Sequence, residues 1–277
     1  MRRVWLGVAL TLVAHAAFGA VQYEFIQTSR SDAEGASPMD ISGRAVIDGD
    51  RSRVDFLAGN AYPPGTWMVS TDGARKLRFV DPIQKSFTEV NTLTIASAIG
   101  TSSIQITNLV PSVTKLDDKR IFAGIPTEHY RLTLTFDITV TLRNIPLKQS
   151  VRAEIDKWTT VRFGEIADTF GENPVETGNP EVDRLIAAET GKIRGFPLRQ
   201  TIKIITMNAA AKRARPDSQL KIPSTRTMSR EMTITSINEL KPDERLFNIP
   251  AEFKKADFSE NARKAQTQVL SLEPSSK

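Results

Sequence analysis

Few residues of this 277-residue chain could perform catalysis. The chain has no cysteine, and of its two histidines only His129 lies outside the N-terminal segment that we predict to be cleaved. A Ser-His-Asp triad would therefore have to use His129, which precedes a long strand pattern and stands beside Glu128. No nucleophile-elbow sequence accompanies it. We interpret His129 as a structural hydrogen-bonding residue, and an exported hydrolase remains an alternative that depends on this residue alone.

Adjacent or nearly adjacent carboxylates offer the other candidate chemistry, namely metal binding. The pairs are Asp48/Asp50, Asp117/Asp118 and Asp243/Glu244. The first pair lies in a predicted hairpin turn, where Asp is favoured by its hydrogen bonds to the backbone, and we interpret the other two as solvated loop charges. Calcium at one of them stays an alternative, although the spacing matches no EF-hand, and one histidine is too few for a zinc site. The sequence thus predicts a non-enzymatic protein with neither metal nor cofactor.

Basic residues cluster in the stretch "AAAKRARPDSQLK", at Lys212, Arg213 and Arg215. One interpretation is a solvated connection between two strands. The other is contact with a lipid headgroup or an anionic membrane surface, where each cation contributes ~1 kcal/mol. The whole chain has a net charge of +5, and it contains no arginine-rich run with interleaved aromatic residues, so nucleic acid is not an expected partner.

The first twenty residues are typical of a secretory signal peptide. Arg2 and Arg3 precede the apolar run Val4–Ala14, which is too short to span a bilayer, and small residues follow at Ala17, Gly19 and Ala20. We expect cleavage near Gly19 or Ala20. Because no cysteine follows, lipidation is not expected. The predicted location is the periplasm, with secretion as the alternative.

A long two-faced strand dominates the rest of the sequence. In "HYRLTLTFDITVTLR" every second residue is apolar, and successive side chains of a strand point to opposite faces. At ~3.3 Å per residue this segment would span roughly 43 Å, against ~17–20 Å for an ordinary strand. We name its apolar residues the apolar strip: Tyr130, Leu132, Leu134, Phe136, Ile138, Val140 and Leu142.

The other elements are predicted to be mostly strands. Ten or eleven strands joined by short turns, such as Asp48-Gly49-Asp50 and Asp72-Gly73, favour an antiparallel meander. One helix should begin at Pro180, capped by Asn179, with an apolar stripe from Val182 to Ile186. Further helices are predicted at Leu93–Gly100 and in Ser259–Leu270. We expect a single domain over residues 21–258, followed by a partly disordered tail over 259–277.

Five segments in a fixed order resemble the lipoprotein-carrier (LolA-like) superfamily of exported bacterial proteins. They are "VIDGDRSRVDF", "MVSTDGARKLRFVDPIQKSFTEV", "AGIPTEHYRL", "GFPLRQ" and "LFNIPAEFKK". The resemblance implies a mainly β fold in which a strongly curved antiparallel sheet forms a half-open β-barrel with helices on its concave side. In characterised relatives the hollow holds acyl chains or lipids. Extra strand-rich material over residues 100–165 departs from the best-known carriers, so no specific lipoprotein transfer follows.

If the sheet forms such a half-open barrel, we expect the apolar strip to line its hollow, where a lipid or other amphiphile would bind. We expect Trp67, Phe79, Phe87 and Trp158 to share this lining, and the alternative is that the same residues form a dry core. A second hypothesis is a structural or protein-interaction module of the cell envelope. Its recognition surface would be either an exposed strand edge or the opposite face of the strand, formed by Arg131, Thr133, Thr135, Thr139 and Thr141.

Overall fold

The computed structural model describes residues 20–33, 35–91, 103–142, 145–163, 180–208, 225–241 and 243–256. For residues 103, 104, 140, 142, 145 and 180 it describes the backbone alone. The predicted leader up to Gly19, the predicted helices at Leu93–Gly100 and Ser259–Leu270, and the basic stretch at Lys212–Arg215 all lie outside the described residues.

Twelve strands form one sheet. They are β1 Ala20–Ser31, β2 Met39–Asp48, β3 Arg51–Gly59, β4 Trp67–Ser70, β5 Lys76–Asp81, β6 Ser86–Asn91, β7 Ser103–Phe122, β8 Ile125–Leu142, β9 Ile145–Thr160, β10 Phe196–Asn208, β11 Thr225–Leu240 and β12 Lys254–Ala256. Within the described ranges the one α-helix is α1, Pro180–Thr190, and two short 3-10 turns lie at Val161–Phe163 and Glu244–Phe247. Eleven strands match the predicted segments. The twelfth, β12, has three residues and was not predicted, because so short a strand exists only through its pairing with β6.

The strands form two antiparallel meanders, β1–β6 and β7–β11, rather than one. The meanders join where β1 pairs with β11, and β12 adds a parallel strand beside β6. The predicted hairpins are present: Gly49 has a φ of 56° between β2 and β3, and Gly73 has a φ of 67° between β4 and β5. Glycine adopts this left-handed region without strain, which explains its place in both turns.

The length of one connection shows why the sheet curves. β6 and β7 are ten strand positions apart, which would be about 48 Å in a flat sheet. Only residues 92–102 connect them, and so short a chain reaches at most about 43 Å. The sheet therefore curls, and β7 contacts β11 although three strands separate them in the sheet. The prediction of a mainly β fold with a strongly curved, half-open sheet is confirmed.

Both faces of the sheet carry apolar clusters. We call inner the face from which Phe25, Met232 and Leu132 project. Its main cluster centres on β1, where Tyr23 and Phe25 are almost fully buried. Gly43 leaves space for this cluster, because a Cβ at that position would lie 2.7 Å from Phe25 Cζ. The other face, called outer, carries a second cluster in which Trp67 and Val69 pack under Phe247 of the C-terminal segment.

Helix α1 lies at the free edge of the sheet. It contacts β7, and Glu189 Oε2 accepts a hydrogen bond of 2.9 Å from the backbone N–H of Val113. Among the described strands β7 has β8 as its one neighbour in the sheet, so this N–H would otherwise be exposed at an edge. The predicted apolar stripe is only partly buried: Val182 is buried, Ile186 is half-buried and Leu185 is exposed.

Candidate functional site

The apolar strip lies within β8, which begins five residues before Tyr130, at Ile125. Strand register places the strip on the inner face, because Tyr130 pairs with Lys157, Lys157 with Gln200, and Gln200 with Met232. Tyr130 and Leu132 are buried. The next members, Leu134, Phe136 and Ile138, are only half-buried. The strip is thus packed at one end and partly accessible towards the other.

Neighbouring strands extend this apolar area. Leu134 pairs with Ala153, Ala153 with Ile204, and Ile204 with Met228, so one row crosses four strands. A parallel row consists of Leu132, Ile155, Ile202 and Arg230, and another of Phe136, Val151, Thr206 and Arg226. We call the apolar residues of these rows the inner apolar surface: Leu132, Leu134, Phe136, Val151, Ala153, Ile155, Ile202, Ile204 and Met228.

The inner apolar surface is incompletely covered. Val151 and Ala153 at its centre are buried, but Ile155, Ile202 and Ile204 are half-buried and Met228 is 47% exposed. A bound hydrocarbon chain would remove this area from water, and each buried CH₂ contributes about 0.8 kcal/mol. The geometry is therefore suited to binding an apolar chain without covalent chemistry.

A polar arrangement closes the buried end of the strip. The Tyr130 hydroxyl donates to Glu128 Oε2 at 3.0 Å, and Lys115 Nζ donates to Glu128 Oε1 at 2.7 Å. Burial, together with the hydrogen bond to Glu128, raises the pKa of Tyr130 above its usual value. The hydrogen bond from Lys115 holds the pKa of Glu128 below its usual value. These groups satisfy one another and set the polar limit of the inner apolar surface.

The four aromatic residues predicted to share the lining are not on one face. Phe79 packs against the inner cluster. Trp67 and Phe87 belong to the outer cluster, beneath the C-terminal segment. Trp158 pairs with His129, the neighbour of Tyr130 in β8, and so lies on the outer face as well. The prediction is corrected for these three residues, because side-chain direction alternates along a strand and a one-residue offset reverses the face.

His129 lies in a buried polar cluster on the outer face. It is 4% exposed, its ring stacks on Trp158 with centroids 4.1 Å apart, and Nε2 is 2.9 Å from Asp156 Oδ1. Nδ1 contacts Asp118, which lies in a bulge of β7 between Leu116 and Arg120. Both ring nitrogens thus face carboxylates, and in the described part of the chain no hydroxyl nucleophile is bonded to the ring.

Charge pairing completes this cluster. Arg131 Nε donates to Asp156 Oδ1 at 2.8 Å, and this bond raises the pKa of Arg131 above its usual value. The hydrogen bond from His129 holds the pKa of Asp118 below its usual value. Asp118 is exposed, as expected of a solvated charge, but it lies in a strand bulge bound to His129 and not in a loop, so that part of the interpretation is corrected. In the sequence, the polar residues His129 and Arg131 on one face of the strand were the available sign of this cluster. The carboxylates that bind them come from β7 and β9, which are not adjacent to them in the sequence.

The threonine-rich face considered as a recognition surface is part of the outer face. Thr135 is exposed there, whereas Thr133 and Thr139 are half-buried. Arg131 is already engaged by Asp156. Of the proposed surface, the threonines rather than the arginine are available to a partner.

Two further observations concern the described ranges. None of their helices combines the length and apolar character needed to cross a membrane. In the same ranges, no three His, Asp or Glu side chains converge in a way that could hold a metal ion. The other paired carboxylates have local roles, since Asp48 contacts Arg51 and Asp243 accepts a hydrogen bond of 3.0 Å from the backbone N–H of Arg245.

No protein-family model matches the chain, and no curated protein matches it significantly. Among solved structures, it is similar to an uncharacterized conserved protein from Thermus thermophilus, with 7% identity, a TM-score of 0.36, and coverage of 86% of this chain and 90% of that one. It is also similar to a LolA superfamily protein, NE2245 from Nitrosomonas europaea, with 9% identity, a TM-score of 0.30, and coverage of 83% and 90%.

A third similar structure is PNGF-II, with 10% identity and a TM-score of 0.32, where the match covers 88% of this chain but 32% of the other. One of the three is thus a member of the superfamily that the sequence motifs resemble. At TM-scores this low the similarities carry no argument about function. Membership of that superfamily stays a prediction.

Proposed function

We propose that this protein is a non-enzymatic periplasmic carrier or binding protein for a lipid or other amphiphile. The observation that carries the proposal is the inner apolar surface, where half-buried and exposed apolar side chains cross four strands on the inner face of a curved, open sheet. The apolar chain of the ligand would cover this area. The ligand would bind non-covalently and mainly through burial of hydrocarbon, with no covalent bond made or broken.

The occupied ring nitrogens of His129 support the non-enzymatic part of the proposal. A triad histidine needs one nitrogen free to accept a proton from a nucleophile. Here each nitrogen faces a carboxylate, Asp118 on one side and Asp156 on the other. We infer a structural role in which the ring connects the bulge of β7 to β8 and β9.

The test is ligand capture by the mature protein with a matched pair of variants. Met228→Asp places a carboxylate on the inner apolar surface, and Ser229→Asp places the same group on the outer face one residue away; both positions are exposed, so both variants should fold. Lipids should co-purify with the wild-type protein from the periplasm and appear in mass spectra of solvent extracts. A fluorescent fatty-acid probe should bind the wild type and Ser229→Asp, and at least tenfold more weakly Met228→Asp, since the charge must be desolvated.

Absence of co-purified amphiphile together with absence of probe binding would refute the proposal. Unchanged binding in Met228→Asp would place the ligand elsewhere than the inner apolar surface, and equal loss of binding in both variants would show that the effect does not depend on the face. Circular dichroism of each variant provides the folding control.

The free edge of β7 favours a second candidate, a protein-interaction module of the cell envelope. β7 is a twenty-residue strand that pairs, within the part of the chain that the structure describes, with β8 alone, and Val110 and Ile121 are exposed along it. An added strand from a partner could pair with such an edge. Envelope extract passed over immobilised protein should then yield a stoichiometric partner. Its binding should be lost in Lys115→Pro, which removes a backbone N–H that, like that of Val113 two residues earlier, faces away from β8.

A further inference from the structure

Charged side chains are segregated by face in the strand segments that form the inner apolar surface, namely 132–138, 149–157, 200–208 and 226–232. On the inner face of these segments the charged residues are Lys157, Arg226 and Arg230, and all three are basic. The carboxylates of the same segments all lie on the outer face: Asp137, Glu154, Asp156 and Glu231. In these segments the charged side chains on the face of the inner apolar surface are therefore all basic; Glu128, on the same face beyond Tyr130, is paired with Lys115.

The outer carboxylates have partners on their own face. Asp156 is bound by Arg131, and Glu231 Oε1 is 2.9 Å from Arg199. Asp137 accepts hydrogen bonds from Ser150 at 2.6 Å and Asn108 at 2.8 Å, which hold its pKa below its usual value. These carboxylates are thus engaged on the outer face, away from the inner apolar surface.

Arg226 is the inner cation best placed for a ligand. It is exposed, and within the described part of the chain it takes part in no ion pair. It lies opposite Thr206 and two residues from Met228, which lies opposite Ile204. Two residues along a strand are about 7 Å, and the row from Leu134 to Met228 is about 14 Å wide. A hydrocarbon chain lying on this row would bring a group at its end within reach of the Arg226 guanidinium.

We infer that the ligand is an anionic amphiphile, whose chain lies on the inner apolar surface and whose oxyanion headgroup pairs with Arg226. The inference rests on the proposed function and specifies its ligand class. A guanidinium presents parallel N–H donors that match a carboxylate or a phosphate in two-pronged hydrogen bonds. Both headgroups share this chemistry, a fatty acid supplying the carboxylate and a lysophospholipid or phospholipid the phosphate.

The experiment compares ligands that share one chain. Oleate, oleyl alcohol and oleoyl lysophosphatidate are titrated into the full mature protein by calorimetry below their micelle concentrations. Wild type should bind oleate about tenfold more tightly than oleyl alcohol, which corresponds to one charge-assisted pair. Arg226→Gln should remove this preference and leave the affinity for oleyl alcohol unchanged. Raising the salt concentration should weaken the binding of the two anionic ligands and leave the binding of oleyl alcohol unchanged.

Lys203→Gln is the matched control, because Lys203 is an exposed cation on the outer face of β10, the strand beside Arg226. It should leave all three affinities unchanged. Tighter binding of lysophosphatidate than of oleate would indicate that the natural headgroup is a phosphate. Tighter binding of oleate would indicate a carboxylate.

Equal affinities for oleate and oleyl alcohol, with Arg226→Gln indistinguishable from wild type, would overturn the headgroup inference and leave the carrier proposal standing. An equal loss of anion binding in Lys203→Gln would show that the overall charge of the protein, and not Arg226, determines the preference for anions. This result would also overturn the headgroup inference. Failure of all three ligands to bind would instead remove the carrier proposal.

Discussion

Gly195, in the segment "GFPLRQ", occupies a position that no side chain fits. Its φ is +90°, and an added Cβ would lie 2.5 Å from the carbonyl oxygen of Thr160 at the end of β9. This close approach seats β10 against β9, where Leu198 is fully buried at a bulge. Gly65 has a similar φ of +86° but open space around the Cβ position. Substitutions at these two glycines can therefore distinguish the cost of backbone strain from the cost of steric overlap.

We expect Gly195→Ala to lower the free energy of unfolding by about 3 kcal/mol, because strain of about 1 kcal/mol adds to a backbone clash. Gly65→Ala should cost about 1 kcal/mol, from strain alone. Urea unfolding followed by circular dichroism measures both. Equal costs for the two variants would show that the approach to Thr160 adds nothing.

At the scale of elements, each edge of the sheet is held by charged groups. At one edge Glu189 of α1 covers a backbone donor of β7. At the other, β12 is joined to β6 through Lys255 Nζ, which donates to Glu89 Oε1 at 2.9 Å, while Arg78 Nε donates to Glu89 Oε2 at 2.9 Å. These hydrogen bonds lower the pKa of Glu89 from 4.5 to about 2. Carboxylates thus stabilise short or exposed edges that have little apolar area of their own.

A lowered pKa predicts the direction of an acid effect. The ionised form of Glu89 stabilises the fold, so its contribution is complete above pH 4.5 and is lost as the pH falls towards about 2. Glu89→Gln should lower the free energy of unfolding at pH 6 and should make it depend less on pH across that window. Glu252→Gln is the control, since Glu252 is exposed and forms no ion pair in the described ranges.

Urea unfolding at a series of pH values compares the three proteins. Parallel pH dependences for Glu89→Gln and wild type would contradict the role given to Glu89. Hydrogen exchange of the β12 amides should rise selectively in Glu89→Gln, because Lys255 then loses its ionised partner.

In the whole molecule, folding of the curved sheet does not bury all of its apolar surface. Tyr23 and Phe25 of the inner cluster are almost fully buried, but the inner apolar surface over β8–β11 is only partly buried. A bound ligand should therefore stabilise the protein, because a ligand that binds only the folded state shifts the folding equilibrium towards that state.

We therefore expect saturating oleate, at about 100 times its dissociation constant, to stabilise the protein by about 2.7 kcal/mol and to raise Tm by roughly 5 to 10 °C. Differential scanning calorimetry below the micelle concentration measures this shift. Ser229→Asp should show the full shift and Met228→Asp little of it. A falling Tm in all three proteins would indicate detergent-like binding to the unfolded chain and would count against a specific site.

Local patterns sufficed for the features that depend on neighbouring residues. The alternation from Tyr130 to Ile138 predicts one strand with two faces, Gly49 and Gly73 predict turns, and Pro180 predicts the start of a helix, since each follows from the conformation of a few residues. Eleven strands were accordingly predictable from local patterns, whereas the curved half-open sheet was predicted from the family resemblance.

Pairing between distant strands decided the rest. Trp67 and Phe79 lie on opposite faces although both were expected in the lining, and Asp118 meets His129 only through a bulge of β7. The sequence by itself determined which side chains share a strand face. Only the tertiary structure decided which face is inner, which edge is free and where the cations lie relative to the apolar area. The physical reason is register: it is set by contacts between strands far apart in the chain, and a shift of one residue exchanges the two faces.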